Sequence, residues 1–439
     1  MAFLPFILLL LTFSYTLTKP NHLIQTTLIN NEDSGYYLTF RIGHMSQNHL
    51  FTMLIDITNP STWVPSKECT NCYKSNKADS SYDCTSNPLT CFQDKTEDPT
   101  ELKYHLNKVI SYRGYDNISF HGIGNTVSFN QTLFFATEIS EELYNINADG
   151  VFGLGLDNAN RSVSILNTLY ALGWIKNLSF SLYLTDDISE IDKQSKIIFG
   201  GMDKSYLQEG SKMQMVPVAR QDSWSVMIKG ASVENKSLEI APVLANLSNN
   251  FPYIGMPSED WKNVMNAIEN VNISCKMFDN FTTPLCQCND ENLLKFPDLV
   301  LELENNVRLN ITQEDYLAYL YDEKNFNQNY RTGKYNCIVK FQDITPGNTT
   351  EWTRSWVLGG IVLNKYYTLF DQDHLMIGFG IARPSLNNSD DRWPSEFLSL
   401  CVIGFGFMAL AVCFFTWKCS QVIKKFNKKE SFLMNEYSL

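Results

Sequence analysis

Histidine is scarce in this chain, at 6 residues of 439. His22, His44, His49, His105, His121 and His374 offer no pair at metal-ligand spacing on a helix, so a helical zinc-peptidase site is excluded and no metal is expected. The chain has no Gly-x-Ser-x-Gly nucleophile turn and no glycine-rich phosphate loop, which removes the corresponding serine hydrolases and nucleotide-using enzymes. No other motif calls for a cofactor. Basic residues are in deficit: 35 Lys and Arg stand against 47 Asp and Glu, a net charge of −12, which argues against a nucleic-acid partner. Helical periodicity is also rare. Only 162–172 and 257–271 carry it, the second opening with Pro257-Ser258-Glu259-Asp260, a good helix start.

What is present is β pattern on a globular composition, 44% apolar and 19% charged. Aromatics at 13% suit a β-rich core. Tyr36 to Gly43 alternates, Phe51 to Ile57 is β-rich and ends at Asn59-Pro60, and Phe180 to Leu184, Lys196 to Gly200 and Trp224 to Ile228 have strand length and strand residues. The polar, Cys-bearing run from Cys69 to Pro99 reads as a long loop, and 185–195 as a break between lobes. A faint internal echo, Asp149-Gly-Val-Phe-Gly-Leu-Gly against Ser355-Trp-Val-Leu-Gly-Gly-Ile, suggests two related halves.

The ends carry targeting signals. Phe3 to Phe13 is apolar and too short to span a bilayer; small residues follow, so residues 1–18 read as a signal peptide, with a buried strand as the alternative. Phe397 to Trp417 is uncharged, bounded by Glu396 and Lys418, and long enough to cross a membrane as a helix. Lys418, Lys424, Lys425, Lys428 and Lys429 follow, which places the tail in the cytoplasm. A lipid-anchor signal would end in the apolar stretch, whereas this chain continues into a basic segment. The organisation expected is a signal peptide (1–18), a short N-terminal segment (19–33), two lobes (34–185 and 186–384), a juxtamembrane stalk (385–396), a membrane helix (397–417) and a basic tail (418–439). The chain is then a single-pass type I membrane protein with its ectodomain outside the cell or in the lumen of the secretory or endolysosomal pathway.

Export agrees with two further features. Cys69, Cys72, Cys84, Cys91, Cys275, Cys286, Cys288 and Cys337 form an even extracytoplasmic set and read as a disulfide framework; a zinc site on Cys69, Cys72, Cys84 and Cys91 is the alternative. Sequons are dense, at Asn117, Asn130, Asn160, Asn177, Asn235, Asn246, Asn272, Asn280, Asn310, Asn348 and Asn387, as for a sugar-coated surface.

Several segments, in order, resemble the pepsin-like aspartic peptidases. Phe51-Thr-Met-Leu-Ile-Asp56 followed by Ser61-Thr-Trp63-Val-Pro-Ser66 resembles the strand and loop that carry the first catalytic aspartate. Ile110-Ser-Tyr112 resembles the start of the flap, with Tyr112 at the place of the flap tyrosine and Trp63 at that of the tryptophan it bonds. Ala148 to Leu154, Phe180 to Leu184, Ile198 to Asp203, Phe296 to Val300, Val357 to Gly360, Tyr366 to Asp371 and Ile377 to Phe379 match further family segments. The resemblance implies an all-β, bilobal fold with an interlobe cleft for a peptide or protein ligand. It also implies a Cys288–Cys337 bridge around Phe296-Pro297-Asp298, leaving Cys275–Cys286 to staple a hairpin and the first four Cys to pair among themselves.

The departures lie in the chemistry. The family's first motif is Asp-Thr-Gly-Ser; here it is Asp56-Ile57-Thr58-Asn59. In the family the Thr hydroxyl tethers the two active-site loops and the Gly gives the aspartate a backbone hydrogen bond. Ile57 cannot make the tether, and Thr58 puts a β-branched side chain where the family has Gly, so both are expected to loosen Asp56. Counting back from Gly255-Met-Pro257 puts the second aspartate on Ser248, or on Asn246 if the register slips, and no Asp or Glu lies between Ile240 and Ser258. Asn246 heads a sequon, and a sugar there is incompatible with an inward-facing catalytic turn. Two carboxylates sharing a proton are what such a peptidase needs. Three readings follow: a family member that keeps the cleft for binding without effective catalysis, an active membrane-bound aspartic endopeptidase using Asp56 with a non-standard partner, or a structural coat glycoprotein.

Overall fold

The computed structural model describes residues 23–384, except for 32–34, 44–49, 73–80, 87, 105–106, 122–125, 142, 144–145, 147, 158–163, 186–193, 235, 270–272, 278–282, 289–295, 320–336 and 346–353. The apolar stretch 397–417 and the leader 1–18 lie outside these, as do the sequons at Asn160, Asn235, Asn272, Asn280, Asn348 and Asn387. Among the described residues no helix is long and apolar enough to cross a membrane.

The described part is mostly strand, with short helices at Ile165–Ala171 and Ser258–Glu269 where the helical pattern lies. Each half builds its own sheet, and the two sheets repeat one topology. In the first, Leu50–Asp56 runs parallel to Gly150–Gly153, which is antiparallel to Trp63–Pro65, which is parallel to Thr126–Ile139. In the second, Val243–Leu247 runs parallel to Ser355–Leu358, which is antiparallel to Ile254–Met256, which is parallel to Phe341–Asp343. The echo between Asp149–Gly155 and Ser355–Ile361 is therefore structural: both supply the strand beside a loop-bearing strand.

Two glycines recur for the same reason. A Cβ on Gly153 would sit 2.4 Å from the Pro60 carbonyl carbon, and one on Gly359 2.0 Å from the Phe251 oxygen. Each lets the loop after Asp56 or Ser248 lie against its neighbour strand, which a side chain would prevent.

A six-stranded sheet joins the halves in the order Ile24–Thr27, Lys196–Phe199, Ser179–Tyr183, Tyr366–Asp371, Met376–Ile381, Gln214–Pro217. The segment 19–33 thus contributes strands, Ile24–Thr27 to the shared sheet and Ile29–Asn31 to the first-half sheet. The break at 185–195 falls between two strands of the shared sheet rather than between separate folding units. One continuous apolar cluster runs from Phe40, Phe152 and Phe199 to Trp224, Val226 and Trp356. Four disulfides staple the loops: Cys69–Cys72, Cys84–Cys91, Cys275–Cys286 and Cys288–Cys337. The first-half cysteines are consumed by these bridges, so the zinc alternative falls.

Candidate active site

Strand Leu50–Asp56 alternates into the core through Phe51, Met53 and Ile55 and delivers Asp56 at its C-terminal end, where Asn59-Pro60 turns the chain. Asp56 is only 5% exposed. Both the backbone N–H and the hydroxyl of Thr58 donate to its Oδ1, at 2.7 and 2.6 Å. Burial pushes the carboxyl above its ordinary value, and the two Thr58 bonds oppose that shift. The expectation that Thr58 loosens Asp56 is therefore corrected. Its φ is not positive, so the turn accepts a β-branched residue, and its hydroxyl adds a bond that Gly cannot make.

The second loop is fixed by register. Gly153 pairs with Asp56 in the first sheet. In the second, Leu358 pairs with Leu247, and the Ser248 N–H donates to the Leu358 oxygen at 3.1 Å. Continuing that parallel register sets Gly359 against Ser248. Ser248, rather than Asn246, thus occupies the place related to Asp56; Asn246 lies two residues back, within the strand Val243–Leu247.

The next residue joins the loops. Asn249, 4% exposed, donates from Nδ2 to the Ile55 oxygen at 2.8 Å and accepts at Oδ1 from the Ile57 N–H at 3.0 Å. One amide thus grips the peptides on both sides of Asp56 and replaces the hydroxyl that the resemblance expects there. The reciprocal bond is missing because Ile57, at the related place, has no polar side-chain atom and is buried in the core. Sequence reasoning missed Asn249. The available signal was its position one residue after Ser248, as Ile57 follows Asp56.

The flap expectation is corrected. Ile110-Ser111-Tyr112 does not start a hairpin but lies within one long strand, Asn107–His121, where Tyr112 pairs with Phe135. Nor does Tyr112 bond Trp63: among the described residues the buried Trp63 Nε1 has no hydrogen-bond partner. The hairpin that reaches the Asp56 loop is Thr100–Tyr104 paired antiparallel with Asn107–His121. Its Lys103 oxygen accepts from Asn59 Nδ2 at 3.1 Å, and Tyr104 is the last residue of its first strand.

Among the described residues no group of His, Cys, Asp and Glu could hold a metal ion. The site consists of one buried carboxyl, a serine hydroxyl at the related place and an asparagine that locks the two loops together.

Comparison with known proteins agrees with this architecture. The family model described as eukaryotic aspartyl protease matches residues 35–382. Pepsin A of Bos taurus is 26% identical over 375 residues, covering 80% of this chain and 85% of that protein. Renin of Ovis aries is 26% identical over 375 residues, 84% of this chain and 85% of that protein. Plasmepsin VIII of Plasmodium berghei (strain Anka) is 24% identical over 343 residues, 77% of this chain and 84% of that protein. With a family match over residues 35–382, most of its length, the chain belongs to the eukaryotic aspartyl proteases.

Proposed function

We propose that this protein is a membrane-anchored, extracytoplasmic glycoprotein of the family that does not work as an efficient peptidase and keeps its interlobe cleft to bind a peptide or a protein partner. The observation that carries this reading is Ser248. Peptide hydrolysis by this family needs one carboxylate to take a proton from water while its partner holds one. A serine hydroxyl can bond the water but cannot share that proton. Asp56 alone sits in an apolar site that favours its neutral form. Removing one member of such a unit costs on the order of a million-fold in rate, or about 8 kcal/mol of transition-state stabilisation at about 1.36 kcal/mol per decade.

Retention of the cleft is supported by the Asn249 bridge, which keeps the two loops together although the chemistry they served has changed. The anchoring part rests on the apolar stretch 397–417 and the lysines after it, and the glycoprotein part on the sequons. The test is incubation of the full-length, detergent-solubilised protein with a random peptide library from about pH 3 to pH 7. Peptides recovered bound and intact support the reading; peptides recovered cut at defined bonds sink it.

A further inference from the structure

We infer that Asn246 carries an N-linked sugar, and that this sugar occupies the second-lobe side of the cleft next to Ser248. The inference rests on the export and impaired-catalysis reading above. Its starting point is a coincidence of position. Ser248 stands where a second aspartate would stand, and it is also the hydroxyl residue of the sequon Asn246-Leu247-Ser248. An aspartate at 248 would supply the carboxylate and abolish the sequon. A serine at 248 does the reverse.

The strand places Asn246 for this role. Val243, Ala245 and Leu247 alternate into the core. Leu244, Asn246 and Ser248 take the opposite, half-buried face. Cross-strand neighbours on that face, Met227 opposite Leu244 and Val357 opposite Asn246, are half-buried as well, so the face is partly open to solvent. Among the described residues nothing hydrogen-bonds the Asn246 side chain, and its amide is not sealed in the core. The amides of two other sequon residues are held: Asn177 Nδ2 donates to the Gly200 oxygen at 3.2 Å, and Asn310 Nδ2 to Asp298 at 3.1 Å. A half-buried amide without a partner is an unfavourable thing to keep on a strand unless water or a covalent substituent satisfies it.

The chemistry balances with the donor of the secretory pathway. Asn246 Nδ2 attacks the anomeric carbon of a lipid-diphosphate-linked oligosaccharide and forms the N–C bond. The sugar–phosphate bond breaks, the lipid diphosphate leaves, and one amide proton passes to the transferase. The acceptor is the chain before it folds, so half-burial in the folded state does not prevent transfer. After folding, the sugar leaves along the half-open face of that strand, beside Ser248 on the second-lobe side, and leaves the first-lobe side of the cleft to a peptide or partner. A working peptidase could not tolerate this; a family member that no longer cuts can.

The test is glycopeptide mapping of the full-length chain from secretory cells, with the enzyme that releases N-glycans used in heavy-oxygen water, so that each occupied Asn becomes a labelled Asp. The expected result is label at Asn246. Asn246→Gln and Ser248→Ala should each lose one glycan's mobility shift, and Ser248→Thr, which keeps the sequon, should lose none. Asn246 recovered unlabelled while exposed Asn130, Asn177 and Asn310 are labelled would overturn this inference and leave the export reading standing. No label at any sequon would overturn both.

Discussion

Asn249 and Ile57 form a one-way bond: the Ile57 N–H donates to Asn249 Oδ1 at 3.0 Å, and Ile57 has nothing to return. Among the described residues, the loops that carry Asp56 and Ser248 are therefore joined through the Asn249 side chain, which also donates to the Ile55 oxygen. The site has kept half of a two-sided lock.

The lock should matter for stability. Replacing Asn249 by Leu strands a buried N–H at Ile57 and a buried carbonyl at Ile55, each costing roughly 1–3 kcal/mol when left unpaired. The expected loss is about 2–6 kcal/mol. Asn249→Thr, which can meet both groups with one hydroxyl, should lose clearly less. Urea denaturation of the two variants checks this, and equal losses would contradict the bridging role.

Asp56 should make stability depend on pH. Its folded-state value is raised by burial, so folding takes up a proton between the ordinary value of 3.8 and the raised one. The stability present below 3.8 is then lost as pH rises through the raised value. Asp56→Asn, which can still accept from Thr58, should therefore be more stable than wild type at neutral pH, with the gap closing toward pH 3.8 and below. Melting temperatures of both forms across that range check the sign. A gap that widens in acid would show that the carboxylate, not the carboxylic acid, is the favoured form.

The disulfides should differ in weight according to the loops they close. Cys288–Cys337 spans a sequence separation of 49 and Cys84–Cys91 one of 7. On the chain-entropy estimate, removal costs about 4 kcal/mol for the first and about 2 kcal/mol for the second. Paired Cys→Ser variants, compared by denaturant midpoint, should follow that order; the reverse order would mean that native-state contacts rather than loop closure set the cost.

Much of the fold is legible in the sequence for a specific reason. Phe51 to Asp56 is β-rich, and Asp149 to Gly155 and Ser355 to Ile361 add glycines whose missing side chains let the loops approach; both signals survive without any chemistry. The hairpin that reaches Asp56 lies before Tyr112, and Gly114 marks no turn. Arg113-Gly114-Tyr115 looks like a turn, but Gly114 lies in mid-strand, where a Cβ would meet the Phe92 oxygen at 2.1 Å. That glycine serves a strand-to-strand approach, and the sequence between the paired strands Thr100–Tyr104 and Asn107–His121 contains no glycine. Asn249 escaped notice because its amide does by shape what a hydroxyl is expected to do. Thr58 costs the loop no order although it stands where the family has glycine, because its hydroxyl reaches the same carboxyl oxygen as its own N–H.

The most direct test of the account compares peptide-library hydrolysis by the full-length protein, its Asp56→Ala variant and its Ser248→Asp variant between about pH 3 and pH 7. The account predicts that wild type and Asp56→Ala release the same background level of products. It also predicts that Ser248→Asp, which restores the second carboxyl and removes the Asn246 sequon, is the one form with scope to exceed that background. Pepstatin-sensitive cleavage by the wild type that disappears in Asp56→Ala would contradict it, because Asp56 would then be working with a partner other than residue 248.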